Sequence, residues 1–291
     1  MTSVFVTGAT GHVGYQLATR LADAGWSVRA LARSPRSVEL VRAKGWDVVE
    51  GDLAHPEGLP GALDGAEFVL HCAAYAGADK AQYQRVNVDA TRTLADLALQ
   101  ARVRRFVHIS TISAHGNELP RWVSEESPLA TTDPEPYCSS KALGELALAE
   151  VRARGLEAVV LRPGMICNVV RSQWGNELVE RIRTRGWPKD LHPDDVLPWV
   201  HTQNLAEMSL LALTHPAAAN ETFLAVDRNV AMSEFFVPIA RALGQPVVVP
   251  DRAGQVSECR VGKLAAKLGY QPVRSFEETM DGLLALAKAP G

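Results

Sequence analysis

The stretch VFVTGATGHVG, residues 4–14, places three glycines between a short apolar run and a run of helix formers. Small residues at such a turn let the backbone approach a diphosphate, and the free N–H groups of the following helix favour its charge. A tight β–α turn without a ligand can carry the same glycines, so the GxxGxxG pattern alone is a weak signal. Its position at the first β–α junction of the chain favours a dinucleotide site. The residues expected in that site are Gly8, Thr10, Gly11, His12, Val13 and Gly14.

Apolar, β-rich runs alternate with helical patterns outward from this loop. The runs occupy residues 4–6, 27–32, 47–53, 67–74, 105–110 and 157–164. Because they are apolar along their whole length, they predict strands buried on both faces of a parallel sheet. We therefore expect a Rossmann-type, doubly wound α/β domain over residues 1–163. Residues 164–291 are expected to form a smaller substrate-binding region, with strands near 198–202 and 222–226 that are able to rejoin the sheet.

Composition narrows the class of protein. The chain has 291 residues, 47% of them hydrophobic and 22% charged, and a formal net charge of −3. The chain has no excess of basic residues, so its charge does not indicate nucleic acid or a membrane surface as a partner. The apolar runs have the length of strands, and Met1 leads almost directly into the first, so we expect neither a membrane span nor a signal peptide. The four scattered cysteines indicate neither a metal site nor a disulfide framework, so a cytoplasmic protein is expected.

The end of the second predicted strand, ALARSPRS at residues 30–37, lacks a carboxylate. Proteins that bind NAD usually place an acid there, on the ribose 2′-hydroxyl. Here Ala32 holds that position and Arg33 follows it. Arginine can pair with a 2′-phosphate, and Ser34 and Arg36 could add contacts, although exposed arginines are commonly only solvated. The pattern favours NADP(H) over NAD(H).

The next two predicted strands end in residues that suit the same cofactor. Asp52 and Leu53 close the third strand, where a side chain could reach the adenine edge. Ala73 and Ala74 close the fourth and leave room for a cofactor to cross the sheet. Each also has an ordinary interpretation, as a turn residue or as a helix-packing residue.

Hydroxyl groups and one ammonium group suggest a catalytic constellation. The fifth predicted strand ends in Ser110, Thr111 and Ser113. Tyr137 and Lys141 stand four residues apart at the start of a predicted helix, and therefore on one face of it. A free phenol has a pKa near 10, so an acid/base role at neutral pH suggests a lowered pKa, which a nearby ammonium group favours. We expect Thr111 to hold a substrate oxygen within reach of the phenol.

The motifs TGATGHVG, GDL, HCAA, YQRVNVDATRTL, FVHISTIS, YCSSK and LRPG together resemble the extended short-chain dehydrogenase/reductase family. The resemblance covers residues 1–164 closely and continues loosely beyond them. It implies that Tyr137 is the catalytic acid/base and that Lys141 tunes it and binds the nicotinamide ribose. It also implies that Thr111 orients the substrate, with Ser113 as the fallback. Asn87 would then lie near the nicotinamide, and Pro163 would follow the sixth strand.

The chain departs from the family pattern in its substrate half. His115 stands where the family often has a tyrosine, the sequence RPGMICNVV lacks the usual YGP, and Asn204 replaces an acid. These departures weaken the inference about the substrate and leave the inference about the cofactor intact.

Three functions stay open at this stage. The leading hypothesis is an NADP(H)-dependent oxidoreductase that reduces a ketone or aldehyde, or oxidises the alcohol in reverse. The second is a nucleotide-sugar epimerase or dehydratase with no net redox change. Dehydratases of this family usually carry an Asp-Glu pair after the threonine, where this chain has Ile112 and Ser113, and most epimerases use NAD. The third is a non-catalytic NADP sensor, although such relatives commonly lose the tyrosine and the lysine.

The expected substrate is a small molecule whose pocket residues 165–200 would wall. Ser113, Met165 and Trp174 are the candidate contacts. The apolar ones favour a hydrophobic ring or chain. The nearby arginines could instead hold a phosphate, or form a solvated helix face: Arg171, Arg181, Arg183 and Arg185. Relatives often dimerise through two long helices, predicted here over 82–102 and 137–154, so a homodimer is possible.

Overall fold

A seven-stranded parallel sheet organises the computed structural model, which describes residues 1–55, 59 and 61–289. Its strands are β1 (Ser3–Thr7), β2 (Ser27–Ala32), β3 (Asp47–Glu50), β4 (Phe68–His71), β5 (Arg105–Ile109), β7 (Ala158–Pro163) and β10 (Thr222–Ala225). They lie in the order β10-β7-β5-β4-β1-β2-β3, with every neighbouring pair parallel. All residues of β4, β5 and β7 are buried, which confirms the prediction of a doubly covered Rossmann-type sheet.

Helices cover both faces of this sheet, and others pack on a second, smaller sheet. They are α1 (His12–Asp23), α2 (Pro35–Ala43), α3 (Lys80–Gln82), α4 (Ala90–Gln100), α5 (Pro136–Arg152), α6 (Asn176–Arg185), α7 (Thr202–Thr214), α8 (Met232–Ala242), α9 (Lys263–Leu268) and α10 (Phe276–Lys288). A π-helical segment, Tyr83–Asp89, joins α3 to α4, and short 3₁₀ segments lie at Ile112–His115 and Pro216–Ala218. One core cluster packs α1 and α7 against the sheet, and a second packs α4 and α5 against the opposite face.

The exposed faces of α4 and α5 form the surface through which the homodimer is predicted. Arg92 pairs with Glu150 and Arg154 pairs with Asp96 there, so these charges are satisfied within one chain. Leu146 is the large hydrophobic residue of α5 that is exposed. The homodimer through these helices stays a prediction.

The strand expected near 198–202 does not rejoin the main sheet, whereas the strand expected near 222–226 does, as β10. Strand β9 (Val196–His201) lies between β8 (Met165–Cys167) and β11 (Arg228–Ala231) in a separate three-stranded sheet. The chain runs from β7 through Gly164 directly into β8, and β8 pairs with β9. The two segments pack closely at Gly164, where a Cβ atom would lie 2.4 Å from the carbonyl oxygen of Pro198. A further two-stranded pair joins β6 (Trp122–Val123) to β12 (Glu258–Cys259).

A third core cluster lies in the second half of the chain. It packs α6, α8 and α10 on the second sheet, with Trp199 and Phe276 in edge contact at 5.2 Å. Glu207 of α7 accepts hydrogen bonds from Arg20 of α1, which ties this region to the first helix. The first core cluster also includes residues from both sides of position 163, so a boundary there stays a prediction. Across the described part of the chain, no helix is both long and apolar enough to cross a bilayer.

Candidate active site

A cleft of about 970 Å³ opens at the carboxyl ends of β1, β4 and β5, where ligands bind in sheets of this kind. It brings together most of the residues predicted from the sequence. These are Gly8, Thr10, Gly11, His12, Val13, Gly14, Arg33, Asp52, Leu53, Ala73, Ala74, Thr111, Ser113, Tyr137, Pro163, Met165 and Trp174. Three predicted residues do not line it: Arg36, Asn87 and Lys141. No cluster of potential metal ligands occurs among the residues that the structure describes.

The glycine-rich loop packs tightly on its own helix and on the end of β4. Gly8 has a φ of +70°, and a Cβ atom there would lie 2.7 Å from the main-chain nitrogen of Ala73. A Cβ atom on Gly14 would lie 2.3 Å from the Gly8 carbonyl oxygen. A Cβ atom on Gly11 would approach that oxygen only to 3.3 Å. Two of the three glycines are therefore required by the fold itself, whereas Gly11 is not.

The N-terminus of α1 presents an unused set of donors to the cleft. No side chain caps the helix at Gly11, and its first turn holds no acidic residue. The first N–H groups of a helix have no partner within the helix, and the helix dipole adds partial positive charge. This donor set fits the diphosphate of a dinucleotide, which would lie against the loop from Thr10 to Val13.

Of the two arginines predicted near the end of β2, Arg33 lines the cleft and Arg36 does not. Arg33 is exposed, and its Nη1 lies 3.7 Å from the Asp52 carboxylate across the cleft. It also borders a second cavity of about 390 Å³. Ser34 caps α2 through a reciprocal pair of hydrogen bonds with Ser37, so the helix begins at Pro35. Arg36 therefore sits exposed in the first turn of α2 and does not line the cleft, and its contact with the 2′-phosphate stays a prediction.

Tyr137 and Thr111 meet at the other end of the cleft. Helix α5 begins at Pro136, and the Glu135 carboxylate caps it by accepting from the Tyr137 main-chain N–H at 3.4 Å. Thr111 caps the 3₁₀ segment by accepting from the Ser113 N–H at 3.2 Å. Burial raises the pKa of the Tyr137 phenol to about 12, and the hydrogen bond with Thr111 opposes that shift. The expectation of a lowered phenol pKa was wrong for the protein alone, because desolvation outweighs the favourable contact.

Lys141 lies beneath the cleft and not in it. Its side chain is 1% exposed, and its Nζ donates to the Ile109 carbonyl oxygen at 3.0 Å and contacts His108 Nε2 at 3.3 Å. Burial lowers the pKa of Lys141 to about 8, against a smaller opposite effect of Glu145. Burial also lowers the pKa of His108 well below its ordinary value, with Lys141 adding to the effect. His108 is therefore neutral beside the lysine. Lys141 does not line the cleft, and its predicted role as a ribose ligand stays a prediction.

Asn87 also lies below the surface of the cleft. It is 2% exposed and sits in the π-helical segment. Its side-chain oxygen accepts from the Tyr75 N–H at 2.7 Å, and its amide donates to the Tyr75 carbonyl oxygen and the Ser140 hydroxyl. Both ends of the amide are thus used in bracing the loop after β4. Asn87 supports the cleft wall through Tyr75 and does not itself line the cleft, and its predicted place near the nicotinamide stays a prediction.

A buried polar network stands directly behind Thr111. The Ser110 hydroxyl donates to Glu145 at 2.5 Å, and Arg162 pairs with Glu145 at 2.6 Å. Arg162 also contacts His115 Nε2 at 3.2 Å, while His115 Nδ1 lies 2.9 Å from the Pro128 carbonyl oxygen. His115 is thus a buried structural residue that fixes the segment after β5. Sequence reasoning missed Glu145, although a carboxylate four residues after Lys141 on an apolar helix is a usable signal.

Several cleft residues were not singled out from the sequence, although Ile166, Ser172, Gln173 and Leu197 lie within the range 165–200 predicted to wall the pocket. Those outside that range include Ser37, Tyr75, Asn117, Leu119 and Thr202. Leu197 and Thr202 come from β9 and the start of α7, so only the packing of the second sheet brings them to the cleft. That placement could not be read from local pattern.

A parallel sheet with a glycine-rich β1–α1 loop, and with Thr111 and Tyr137 on one cleft, defines an NAD(P)-dependent enzyme of the short-chain dehydrogenase/reductase type. The comparison with family models agrees. The chain belongs to the NAD dependent epimerase/dehydratase family, whose model matches residues 4–225.

Known relatives extend the comparison. The chain is 31% identical to a 4-hydroxy-2-methyl-3-oxo-4-farnesyl-3,4-dihydroquinoline-1-oxide ketoreductase from Stigmatella aurantiaca, over 82% of this chain and 73% of that protein. It is 29% identical to a 2-alkyl-3-oxoalkanoate reductase from Shewanella oneidensis, over 94% of this chain and 74% of that protein. Among solved structures, UDP-glucose 4-epimerase from Thermotoga maritima with UDP-glucose superposes with a TM-score of 0.81 at 22% identity, covering 98% of both chains. At that identity the likeness supports the fold alone.

Proposed function

We propose that this protein is an NADP(H)-dependent reductase of a ketone or aldehyde carbonyl, which oxidises the alcohol in reverse. The observation that carries the proposal is the Tyr137 phenol, which lines the cleft beside Thr111 and has a pKa raised to about 12. Such a phenol keeps its proton at neutral pH. It is therefore prepared to donate that proton to a carbonyl oxygen as negative charge develops on it.

The chemistry divides between cofactor and protein. A bound reduced nicotinamide supplies the hydride that the carbonyl carbon accepts. The Thr111 hydroxyl and the Tyr137 phenol orient the carbonyl oxygen by hydrogen bonds, and the phenol proton passes to that oxygen. The C=O double bond is replaced by one C–H and one O–H bond, and Tyr137 is left as a phenolate that regains its proton from solvent. The Lys141 ammonium, one turn further along α5, favours that phenolate.

An apolar pocket supports a hydrophobic carbonyl compound as the substrate. The apolar side chains that line the cleft include Ile112, Leu119, Met165, Ile166, Trp174 and Leu197. Among the described residues, the arginines of the cleft are Arg33, beside Asp52, and Arg171, beside Thr10. Both therefore belong to the cofactor side. The names of both reductase relatives also combine an oxo group with a farnesyl or alkyl chain.

The NADP(H) preference rests on Arg33. Its ion pair with Asp52 is solvent-exposed and long, at 3.7 Å, so breaking it costs little. The guanidinium group is thus free to turn to a 2′-phosphate, which it can bind through two parallel hydrogen bonds. The adjoining cavity and the Ser34 and Ser37 hydroxyls border the same position.

Epimerisation of a nucleotide sugar is the second candidate function. The family description favours it. A sugar diphosphate requires cationic partners in the substrate half of the cleft, where the described lining residues are apolar or uncharged. We therefore rank it below carbonyl reduction.

The test is consumption of NADPH, with NADH in parallel, on ketones that carry alkyl or prenyl chains and on nucleotide sugars. We expect ketone-dependent consumption that falls about 10²- to 10⁴-fold in Tyr137→Phe while NADPH binding is retained. Tyr83→Phe is the matched control, because Tyr83 does not line the cleft and its hydroxyl bonds to the Gly77 carbonyl oxygen. Sugar isomers formed without consumption of NADPH would establish the second candidate instead. Binding of NADPH without turnover of either class would favour a sensor.

A further inference from the structure

We propose that Arg171 is a second diphosphate ligand of this protein, which binds the cofactor's diphosphate together with the N-terminus of α1. The inference rests on the family's dinucleotide cofactor, and it holds whether the enzyme reduces carbonyls or epimerises sugars. Arg171 belongs to the segment 168–175, between β8 and α6, and lines the cleft with Thr10, Gly11 and His12.

The guanidinium group of Arg171 is held against the glycine-rich loop. Its Nη2 donates to the Thr10 carbonyl oxygen at 3.3 Å, and its central carbon lies 4.0 Å from the centre of the Tyr15 ring. Stacking on an aromatic face fixes a planar guanidinium group and leaves most of its five N–H donors unused. The charge is therefore placed at the turn whose free main-chain donors form the candidate diphosphate site.

Arg171 also differs from the other basic residues in this part of the cleft, because no described carboxylate forms an ion pair with it. Within the described residues, Arg33 faces Asp52 and His12 lies 3.2 Å from Glu177, whereas no ion pair involves Arg171. Helix α1 brings no acidic residue in its first turn. An arginine left unpaired beside a helix N-terminus gives a local positive potential that suits a diphosphate.

The segment that carries Arg171 is anchored at both ends. The Ser172 hydroxyl donates to the Ile166 carbonyl oxygen at 3.0 Å and accepts from the Asn168 N–H at 3.1 Å. The Asn168 amide donates to Gln16 of α1 at 2.5 Å. Arg171 itself has a φ of +50°, a backbone conformation uncommon for residues other than glycine and asparagine. Its guanidinium group is thus positioned by the fold and does not depend on a mobile loop.

Two other arginines of this region, Arg181 and Arg183, have partners outside the cleft. Arg181 lies over the Trp174 ring at 5.6 Å and donates to the Gln173 carbonyl oxygen. Arg183 pairs with Glu180 at 2.7 Å. Neither lines the cleft. Arg181 therefore offers a matched control, because it is stacked on an aromatic ring as Arg171 is.

The test is calorimetric titration of the unliganded protein with NADP⁺ and with adenosine 2′-monophosphate, which lacks the diphosphate. We expect Arg171→Gln to weaken NADP⁺ binding about 10- to 100-fold and to leave adenosine 2′-monophosphate within about twofold. Arg171→Lys should recover part of the loss, and Arg181→Gln should bind both ligands as the wild type does. Arg33→Ala should instead weaken the binding of both ligands, because both carry the 2′-phosphate.

A second variant separates binding from folding. Arg171→Gly removes the guanidinium group and suits the positive φ, so we expect an unchanged or higher melting temperature together with the same loss of NADP⁺ affinity. The proposal is overturned if Arg171→Gln binds NADP⁺ normally. It is equally overturned if both ligands weaken in parallel. These titrations need no turnover, so their outcome is independent of the proposed reaction.

Discussion

Lys141 Nζ donates a hydrogen bond to the main-chain oxygen of Ile109 at 3.0 Å, in a site where the lysine side chain is 1% exposed. No carboxylate is paired with it there among the described residues, and Glu145 compensates for the burial only in part. A buried ammonium group costs free energy because water no longer solvates it. The lowering of the Lys141 pKa from 10.5 to about 8 expresses that cost.

We expect Lys141→Met to be more stable than the wild type at pH 7, by up to about 3 kcal/mol, although it should lose activity. Below pH 8 the lysine is protonated in both the folded and the unfolded state, so the full cost is present. Between pH 8 and 10.5 the folded state releases its proton first, and the cost disappears. The advantage of the variant should therefore shrink over that range. Urea unfolding at several pH values measures it.

The exposed Lys80 supplies the control for this experiment. Lys80→Met should change stability little, because this exposed side chain stays in contact with water in the folded state. An advantage of Lys141→Met that stayed constant up to pH 10.5 would show that better packing, and not the removed charge, is responsible.

Gly11 and Gly14 should respond differently to the same added methyl group. A Cβ atom on Gly14 would lie 2.3 Å from the Gly8 carbonyl oxygen, so we expect Gly14→Ala to unfold at a clearly lower temperature. A Cβ atom on Gly11 meets that oxygen only at 3.3 Å, so Gly11→Ala should melt within a few degrees of the wild type. If a diphosphate approaches the loop there, Gly11→Ala should nevertheless bind NADPH at least about 10-fold more weakly. Thermal melting and fluorescence titration, run side by side, test both statements.

Arg33 and Arg36 form a matched pair for cofactor preference. Arg33 lines the cleft whereas Arg36 does not. Arg33→Ala should raise the KM for NADPH about 10-fold or more and change the KM for NADH by less than about twofold. Arg36→Ala should change neither. Equal effects of both substitutions would mean that a general positive field, and not a specific contact, sets the preference.

The sequence predicted the parts of this molecule that local chemistry determines. Continuous apolar runs indicated the buried strands of the main sheet, and the glycine spacing indicated the turn before α1. It did not predict that β9 joins a second sheet, because strand pairing depends on contacts between parts of the chain that are distant in sequence. The same limit applies within the site.

Depth below the surface accounts for the remaining differences at the site. The i,i+4 spacing places Tyr137 and Lys141 on one face of α5, but it says nothing of how far each lies from the cleft. Packing buries Lys141 against Ile109 and His108. Desolvation lowers the pKa of Lys141 and raises that of Tyr137, and the second shift is opposite to the sequence expectation. Asn87 is likewise buried, at 2% exposure, which its position along the chain does not indicate. Burial of this kind results from the whole fold.

The pH dependence of the two directions tests the raised phenol pKa. Carbonyl reduction by NADPH consumes one proton, so the ratio of forward to reverse kcat/KM must fall about tenfold per pH unit. The pKa of Tyr137 decides which direction carries the change. With a pKa of about 12, the phenol stays protonated and the phenolate fraction rises about tenfold per pH unit.

We therefore expect that, below the Lys141 pKa of about 8, kcat/KM for NADPH in ketone reduction is flat with pH and kcat/KM for NADP⁺ in alcohol oxidation rises about tenfold per unit. Those constants report the free enzyme, to which the raised pKa applies. The reverse pattern, a falling reduction and a flat oxidation, would mean a phenol already ionised near pH 7. Thr111→Ala supplies the control: loss of its hydrogen bond should raise the pKa of Tyr137 further, which lowers the oxidation at every pH and leaves its slope unchanged.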